Sequence, residues 1–229
     1  MSNEPVDPQW SRLLSLAVHE FRTPITVVAG YIRMVLKERA GPISEQQRKL
    51  LEEAEKSCGR LSGLVGDMSD LSALEAGSAG LSRTPVDLAT LLREVLAAMP
   101  ELPDRTVTVV LEGVDAPVTI SGDGNRLRAA ITALITALRR ELVTSDRLLV
   151  RLGGSKGASM TSLAIADSEQ IDSVATAPPS SLENFDEWRG GSGLSLAIAR
   201  RVIGQHGGMV LSPAGSKAAA LILLPRAAG

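Results

Sequence analysis

Ser44-Glu45-Gln46-Gln47 opens the stretch that decides the fold, a run to Ala76 in which Leu51, Ala54, Cys58, Leu61, Val65 and Met68 alternate steps of three and four residues without interruption. That is the repeat two packed helices share. Ser44 with Gln47 three residues later forms a capping box, which fixes where the helix starts. Just upstream, Ala40-Gly41-Pro42-Ile43 interrupts any helix that precedes it. From Trp10 to about Arg39 the apolar positions Leu14, Ala17, Phe21, Val28, Tyr31 and Val35 recur at spacings of three, four or their sums, which predicts a second long amphipathic helix. The two make a hairpin. A hairpin has only two apolar stripes and cannot cover both alone, so pairing two copies into a homodimeric four-helix bundle is the expected closure. The competing closure, by a helix of the same chain at about Asp87 to Met99, is less favoured because that helix is short.

The rest of the chain reads differently. Gly77 to Pro85 is rich in Gly, Ser and Pro and marks a boundary, giving a hairpin domain over residues 1–80 and a second domain over 81–229. In the second domain, strands are expected at Thr106–Leu111, Arg147–Leu152, Thr161–Ala166, Met209–Leu211 and Ala219–Leu224, the last two joined by a turn at Gly215. Helices are expected over Asp87–Met99, Asn125–Leu142 and Leu194–Gln205. The expected fold class is therefore α followed by α+β, with a helix layer on one mixed sheet in the second domain.

Composition narrows the function. The chain has 229 residues, 44% of them hydrophobic, with 24 basic against 26 acidic residues and a formal charge of −2. No broad basic field holds nucleic acid or an anionic membrane, so a protein or small-molecule partner is expected. The single Cys58 forms no disulfide within the chain, which fits a reducing compartment. Met1-Ser2-Asn3-Glu4-Pro5 has neither a basic nor an apolar stretch, and no window reaches the ~18 apolar residues of a membrane span. A cytoplasmic location follows as an expectation. Only Trp10, Phe21, Tyr31, Phe185 and Trp188 are aromatic, so the core must be aliphatic and stacking platforms for bases are not expected.

At about 100° per residue, His19 lies roughly 160° from both Ala17 and Phe21 on its helix and so faces away from that stripe. An outward imidazole keeps a ring nitrogen free, which a phosphoryl acceptor or general base requires. Glu20 can hold the tautomer or take the proton, and Thr23, one turn on, could position a water. Pro24 removes a backbone donor beside them and should bend the helix.

The run His19-Glu20-Phe21-Arg22-Thr23-Pro24-Ile25-Thr26 resembles the phosphoacceptor box of two-component sensor histidine kinases at nearly every position. The resemblance extends over the hairpin and the order of elements that follow. It implies that His19 accepts phosphate from ATP and passes it to a response-regulator aspartate, with Glu20 as base and Thr23 supporting hydrolysis of the phosphorylated regulator. It also implies a homodimeric bundle, an attached α/β sandwich of the GHKL (Bergerat) type, ATP and Mg²⁺ as cofactors and a receiver domain as partner; a separate sensor protein is a further expected partner because no window of the sequence reads as a membrane span.

The second domain departs from that pattern. Gly122-Asp123-Gly124-Asn125-Arg126-Leu127 resembles the lead-in to the family's N box, but the two asparagines that should follow are Ala133 and Ala137. Ala137 stands where the magnesium ligand belongs, so no metal ligand is assigned. Asp167 resembles the acid that reads the adenine amino group, yet the glycines expected two and four residues later are Glu169 and Ile171. Gly190-Gly191-Ser192-Gly193-Leu194 resembles the second glycine box, with Ser195 in place of one glycine, and Phe185 resembles the F box. A glycine loop feeding a helix N-terminus is an anion site in physical terms, which makes Gly191 and Gly193 cofactor-binding candidates beside Asp167; equally, the two glycines could serve only a tight turn. The presumed lid, Ile171 to Gly190, is short and stiffened by Pro178-Pro179, and His206 near a helix end reads as a capping residue.

Three readings stay open on sequence alone: an ATP-dependent autokinase, an ATP-independent histidine phosphotransferase, and a non-catalytic dimeric scaffold for a receiver domain.

Overall fold

Helix α1 (Pro8–Leu36) continues through Pro24, which removes one ladder hydrogen bond, the one to the Glu20 carbonyl. The chain reverses through a turn in which Glu38 and Gly41 have positive φ. Arg48 holds this reversal, donating from Nη1 to the Leu36 carbonyl at 3.1 Å and from Nη2 to the Glu38 carboxylate at 2.6 Å. A cation among the last carbonyls of a helix meets the negative end of its dipole. Helix α2 (Glu45–Glu75) then starts on the predicted capping box: Gln47 N–H donates to Ser44 Oγ, and Ser44 N–H donates to the Gln47 side chain.

These observations come from a computed structural model that describes residues 8–77, 80–102, 106–143, 145–154, 159–188 and 193–227. The chain divides into two compact units, Met1–Ala79 and Gly80–Gly229. Among the described residues, no helix is long and apolar enough to cross a membrane.

In the first unit, α1 and α2 pack along Val18 and Ala29 on one side and Cys58 and Val65 on the other, all buried. The α2 seam is as predicted at Cys58 and Val65, but Leu61, between them in the expected stripe, is 49% exposed because α1 packs to one side of it. The α1 seam is not: Phe21, Val28 and Tyr31 are 52%, 50% and 65% exposed. Helix α1 has two neighbouring apolar arcs, and α2 takes the one centred on Val18. The second arc, with Leu13, Leu16, Val27, Val28, Tyr31 and Met34, stays open, as do Leu50, Leu61 and Leu64 of α2.

The second unit begins with β1 (Thr84–Asp87) and α3 (Leu88–Ala97), continues through β2 (Thr108–Glu112), β3 (Thr119–Gly122) and α4 (Gly124–Glu141), and adds the hairpin β4 (Arg147–Gly153) and β5 (Met160–Ala166). It ends with α5 (Ile171–Thr176), β6 (Glu183–Asn184), α6 (Ser195–Gln205), β7 (Met209–Ser212) and β8 (Ala220–Pro225). Strands β1 and β3 form a two-stranded antiparallel sheet with Val86 opposite Ile120. The other six form one mixed sheet in the order β2-β4-β5-β8-β7-β6, parallel only between β2 and β4. Alternation along the strands sends Leu149, Ala164, Ala166 and Leu221 to the face on which Ile171 and Val174 of α5 pack. Val150, Leu163, Ile165 and Ile222 are buried on the opposite face, and α4 lies against β5.

Strands β1 and β3 and helix α5 were absent from the sequence expectations. Short elements of four to six residues carry too few periods to register as a pattern.

Candidate functional site

On α1, His19, Glu20 and Thr23 are all exposed. His19 lies about 100° from Val18, the centre of the arc that packs on α2, and is exposed as expected, although the stripe through Phe21 against which its angle is measured is not the packed one. Thr26, one turn beyond Arg22, donates its hydroxyl to the Arg22 carbonyl at 2.8 Å, so the polar flank below the histidine is tied to the backbone while the histidine is not.

In the second unit the candidates are dispersed. Asp167, buried at the end of β5, accepts the N–H groups of Glu169 and Gln170 on Oδ1 at 3.1 and 2.9 Å. Its carboxylate thereby shapes the turn into α5. Ile171, where the resemblance expects a glycine, is buried as the first residue of that helix. Gly193 has φ of +56° just before α6, a left-handed conformation that a glycine adopts without strain. Gly191 lies outside the described residues, as do Gly190 and Ser192.

The presumed lid is corrected by the structure. From Ile171 to Asn184 the chain is built into the domain: Ile171 and Val174 enter the core, β6 pairs with β7, and Phe185 follows, 1% exposed. Buried side chains and a strand pair anchor this segment, so it does not hang free over a site.

Just beyond, Glu187 is 3% exposed and is clamped by two arginines of α6. Arg200 donates to Oε2 at 2.8 Å, and Arg201 pairs with Oε1. The carboxylate is buried while both arginines reach solvent, so the pair breaks asymmetrically. Replacing Arg200 and Arg201 together by Ala strands a buried charge and is expected to cost about 3–5 kcal/mol. Glu187→Gln leaves the arginines free to hydrate and is expected to cost less than about 2 kcal/mol. Urea unfolding monitored by circular dichroism checks the ordering; equal losses in the two variants would refute it.

A second polar knot joins α6 to α4. His206, 2% exposed at the C-terminus of α6, accepts the Asp123 N–H on Nε2 at 2.9 Å, and Nδ1 lies 2.7 Å from the Val202 carbonyl. Nδ1 therefore carries the proton and donates it to Val202. The ring lies so close to Gly122 that a Cβ there would come within 2.8 Å of its Cδ2. Asp123 in turn caps α4, accepting from Arg126 N–H at 3.1 Å and from Ser82 N–H at 3.2 Å.

Burial holds the His206 pKa below the usual imidazole range, against the opposing effect of the Val202 carbonyl. The folded ring stays neutral while the unfolded one takes up a proton below about pH 6.5. The stabilising contribution is thus complete above that pH and is lost as pH falls toward the depressed folded value. Stability of the full chain is expected to fall from about pH 7.5 to 5.5, with a shallower slope in His206→Gln. Parallel slopes in the two proteins would contradict this.

The exposed face of α4 is grooved. Asn125, Arg128, Ala129, Thr132, Ala133, Thr136, Ala137 and Arg140 fall at three- and four-residue spacing and, with Ser195 of α6, line a space of about 490 Å³. Ala133 and Ala137 thus line one space with Ser195 at the start of α6; among the described residues, Asp167 and Gly193 do not line it. Arg128, Thr132, Thr136 and Arg140 were not singled out in the sequence, although a helical wheel of α4 places them on one face.

Residues 9–77 match the family described as the His Kinase A (phospho-acceptor) domain. The chain is 27% identical over 205 residues to the circadian input-output histidine kinase CikA of Synechococcus elongatus, a match covering 86% of this chain and 27% of that protein. It is 28% identical over 211 residues to the sensor protein GacS of Pseudomonas syringae pv. syringae, covering 87% and 23%. The chain thus spans about a quarter of the length of the curated relatives it matches. Among solved structures, full-length ShkA in complex with AMPPNP gives a TM-score of 0.69 at 25% identity, over 95% of this chain and 47% of that one. The Acinetobacter baumannii histidine kinase AdeS gives 0.53 at 20% identity, over 92% and 98%, which speaks to the fold alone.

Proposed function

Because the chain belongs to the two-component sensor histidine kinase family, with a helical hairpin followed by an α/β domain of the GHKL type, we propose that it carries a phosphoryl group on His19 and exchanges it with the aspartate of a response-regulator receiver domain. The observation that supports this most directly is the exposed imidazole on the polar flank of α1, with Glu20 and Thr23 exposed beside it.

The chemistry follows from that placement. A neutral ring nitrogen of His19 supplies the electron pair that attacks phosphorus in an aspartyl phosphate. The P–O bond to the aspartate breaks as the N–P bond forms, and the aspartate leaves as a carboxylate. The imidazole acquires positive charge on its second nitrogen, where the Glu20 carboxylate can hold or accept the proton. In the reverse direction the receiver's carboxylate attacks and neutral imidazole departs. Thr23, one turn along, is assigned to orient the water that hydrolyses the phosphorylated regulator.

The open apolar arcs of α1 and α2 support assembly of two hairpins into a four-helix bundle, with the acceptor histidines outside the new interface. A receiver domain and a separate sensor protein are the partners this reading assigns.

The test mixes the full chain with a receiver domain carrying radiolabelled aspartyl phosphate, without nucleotide. Label that moves to the chain and is lost in acid but kept in alkali is the expected result. Label that stays on the receiver, or moves in an alkali-labile form, would overturn the assignment.

A further inference from the structure

The α4 groove holds residues that conflict with the metal–nucleotide complex its position implies. Magnesium needs oxygen ligands in near-octahedral array, commonly one or two from protein carboxylates or amides beside those of the phosphates. Among the described residues lining the groove there is no carboxylate, and positions 133 and 137 present methyl groups. Ala137 is 3% exposed, so its methyl group is packed into the wall and supplies no oxygen ligand. The amide of Asn125 sits two turns of helix from Ala133. Two guanidinium groups border the same space, Arg140 and Arg128, the second with its charge partly offset by Glu94, and neither is a ligand for a divalent cation. The residues present do not fit Mg²⁺.

They do fit the anion that magnesium would otherwise neutralise. A guanidinium is permanently charged and offers a planar fork of N–H donors matched to phosphate oxygens. Arg128 is steadied at the wall by Glu94, which accepts from one Nη2 at 2.5 Å; the fork has five N–H donors in all, so others remain for a ligand. The two arginines lie twelve residues apart along α4, and Thr132, Thr136 and Ser195 line the space with them. Twelve residues of helix span about 18 Å, a length that long arginine side chains can close onto a polyphosphate chain.

We propose that this groove binds a nucleoside triphosphate, or another linear polyphosphate, free of metal, with Arg128 and Arg140 in the place magnesium occupies in a metal–nucleotide site. Magnesium in solution then competes with the protein for the same phosphate oxygens and weakens binding. This goes beyond phosphoryl exchange at His19 and does not depend on it, since that exchange is measured without nucleotide and can succeed or fail independently.

Isothermal titration of the full chain with ATP, and separately with tripolyphosphate, is run in EDTA and in excess Mg²⁺. Both ligands are expected to bind in EDTA, and affinity should fall about tenfold or more when magnesium is added. Arg128→Ala and Arg140→Ala are each expected to weaken binding in EDTA by about tenfold, with Arg140→Lys losing less because the charge is kept but the fork is not. Far-ultraviolet circular dichroism establishes that each variant is folded. Three results overturn the proposal: tighter binding with magnesium, no saturable heat in either buffer, or ATP binding that tripolyphosphate does not reproduce and neither arginine substitution weakens.

Discussion

His19→Gln is expected to reduce the label transferred from a phosphorylated receiver to background. The substitution keeps a polar side chain of similar reach on an exposed helical site, so α1 and its packing on α2 should be unaffected. What is lost is a nucleophilic nitrogen; an amide nitrogen has its electron pair delocalised into the carbonyl and does not attack phosphorus. Glu20→Gln tests the neighbouring carboxylate. If it takes or holds the imidazole proton, transfer should slow by about a hundredfold, at the lower end of what general acid–base groups contribute. Thr23→Ala is expected to leave transfer to His19 within about twofold and to slow loss of phosphate from the receiver by tenfold or more. The split matters because a residue that merely supported the helix would move both rates together. Retention of label in His19→Gln would show that another side chain accepts the group, and a uniform loss across all three variants would point to a damaged docking surface rather than to chemistry.

The second large effect concerns the open apolar arcs. Val28 of α1 and Leu61 of α2 are about half exposed, at 50% and 49%, as are Val27 and Met34 of α1 and Leu64 of α2, while Tyr31 and Leu50 are about two-thirds exposed. An aliphatic side chain that passes from exposed to fully buried contributes about 1.5–3 kcal/mol, and in a two-fold dimer every such residue counts twice. Introducing charge there removes that contribution and adds a desolvation cost. The pair Val28→Glu and Leu61→Glu is therefore expected to raise the dimer dissociation constant by at least a thousandfold, or about 4 kcal/mol. Sedimentation equilibrium distinguishes a monomer from a dimer directly. Ser15→Glu, on the exposed polar flank of α1, is the control and should leave the dimer intact. A wild-type chain that sediments as a monomer at all concentrations, or a double variant that remains dimeric, would exclude this interface.

The arcs also show why the sequence reads α2 better than α1, although Leu61, in the expected α2 seam, is 49% exposed. Helix α2 has a single uninterrupted three–four alternation flanked by Glu, Lys, Arg and Ser, so its seam at Cys58 and Val65 was legible. Helix α1 has apolar residues around more than half its circumference, and two choices of seam satisfy the same spacing. Phe21, Val28 and Tyr31 and, alternatively, Val18, Ile25 and Ala29 both read as stripes; only contact with a partner distinguishes them. Small Ala29 and β-branched Val18 allow a close approach of the helices, and the bulkier set is left outside.

By itself the sequence determined the features that depend on neighbouring residues: the capping box at Ser44, the break at Gly41-Pro42, the outward angle of His19, and the longer helices and strands of the second unit. These follow from local hydrogen bonding and from side-chain period, which a linear string records. Tertiary structure alone decided which arc of α1 meets α2, that the segment from Ile171 to Asn184 is built into the domain instead of covering a site, that Glu187 is buried between Arg200 and Arg201, and that His206 caps Asp123 across 83 residues of chain. Each of these turns on which surfaces exclude water together, and solvent exclusion belongs to the assembled layers rather than to any segment.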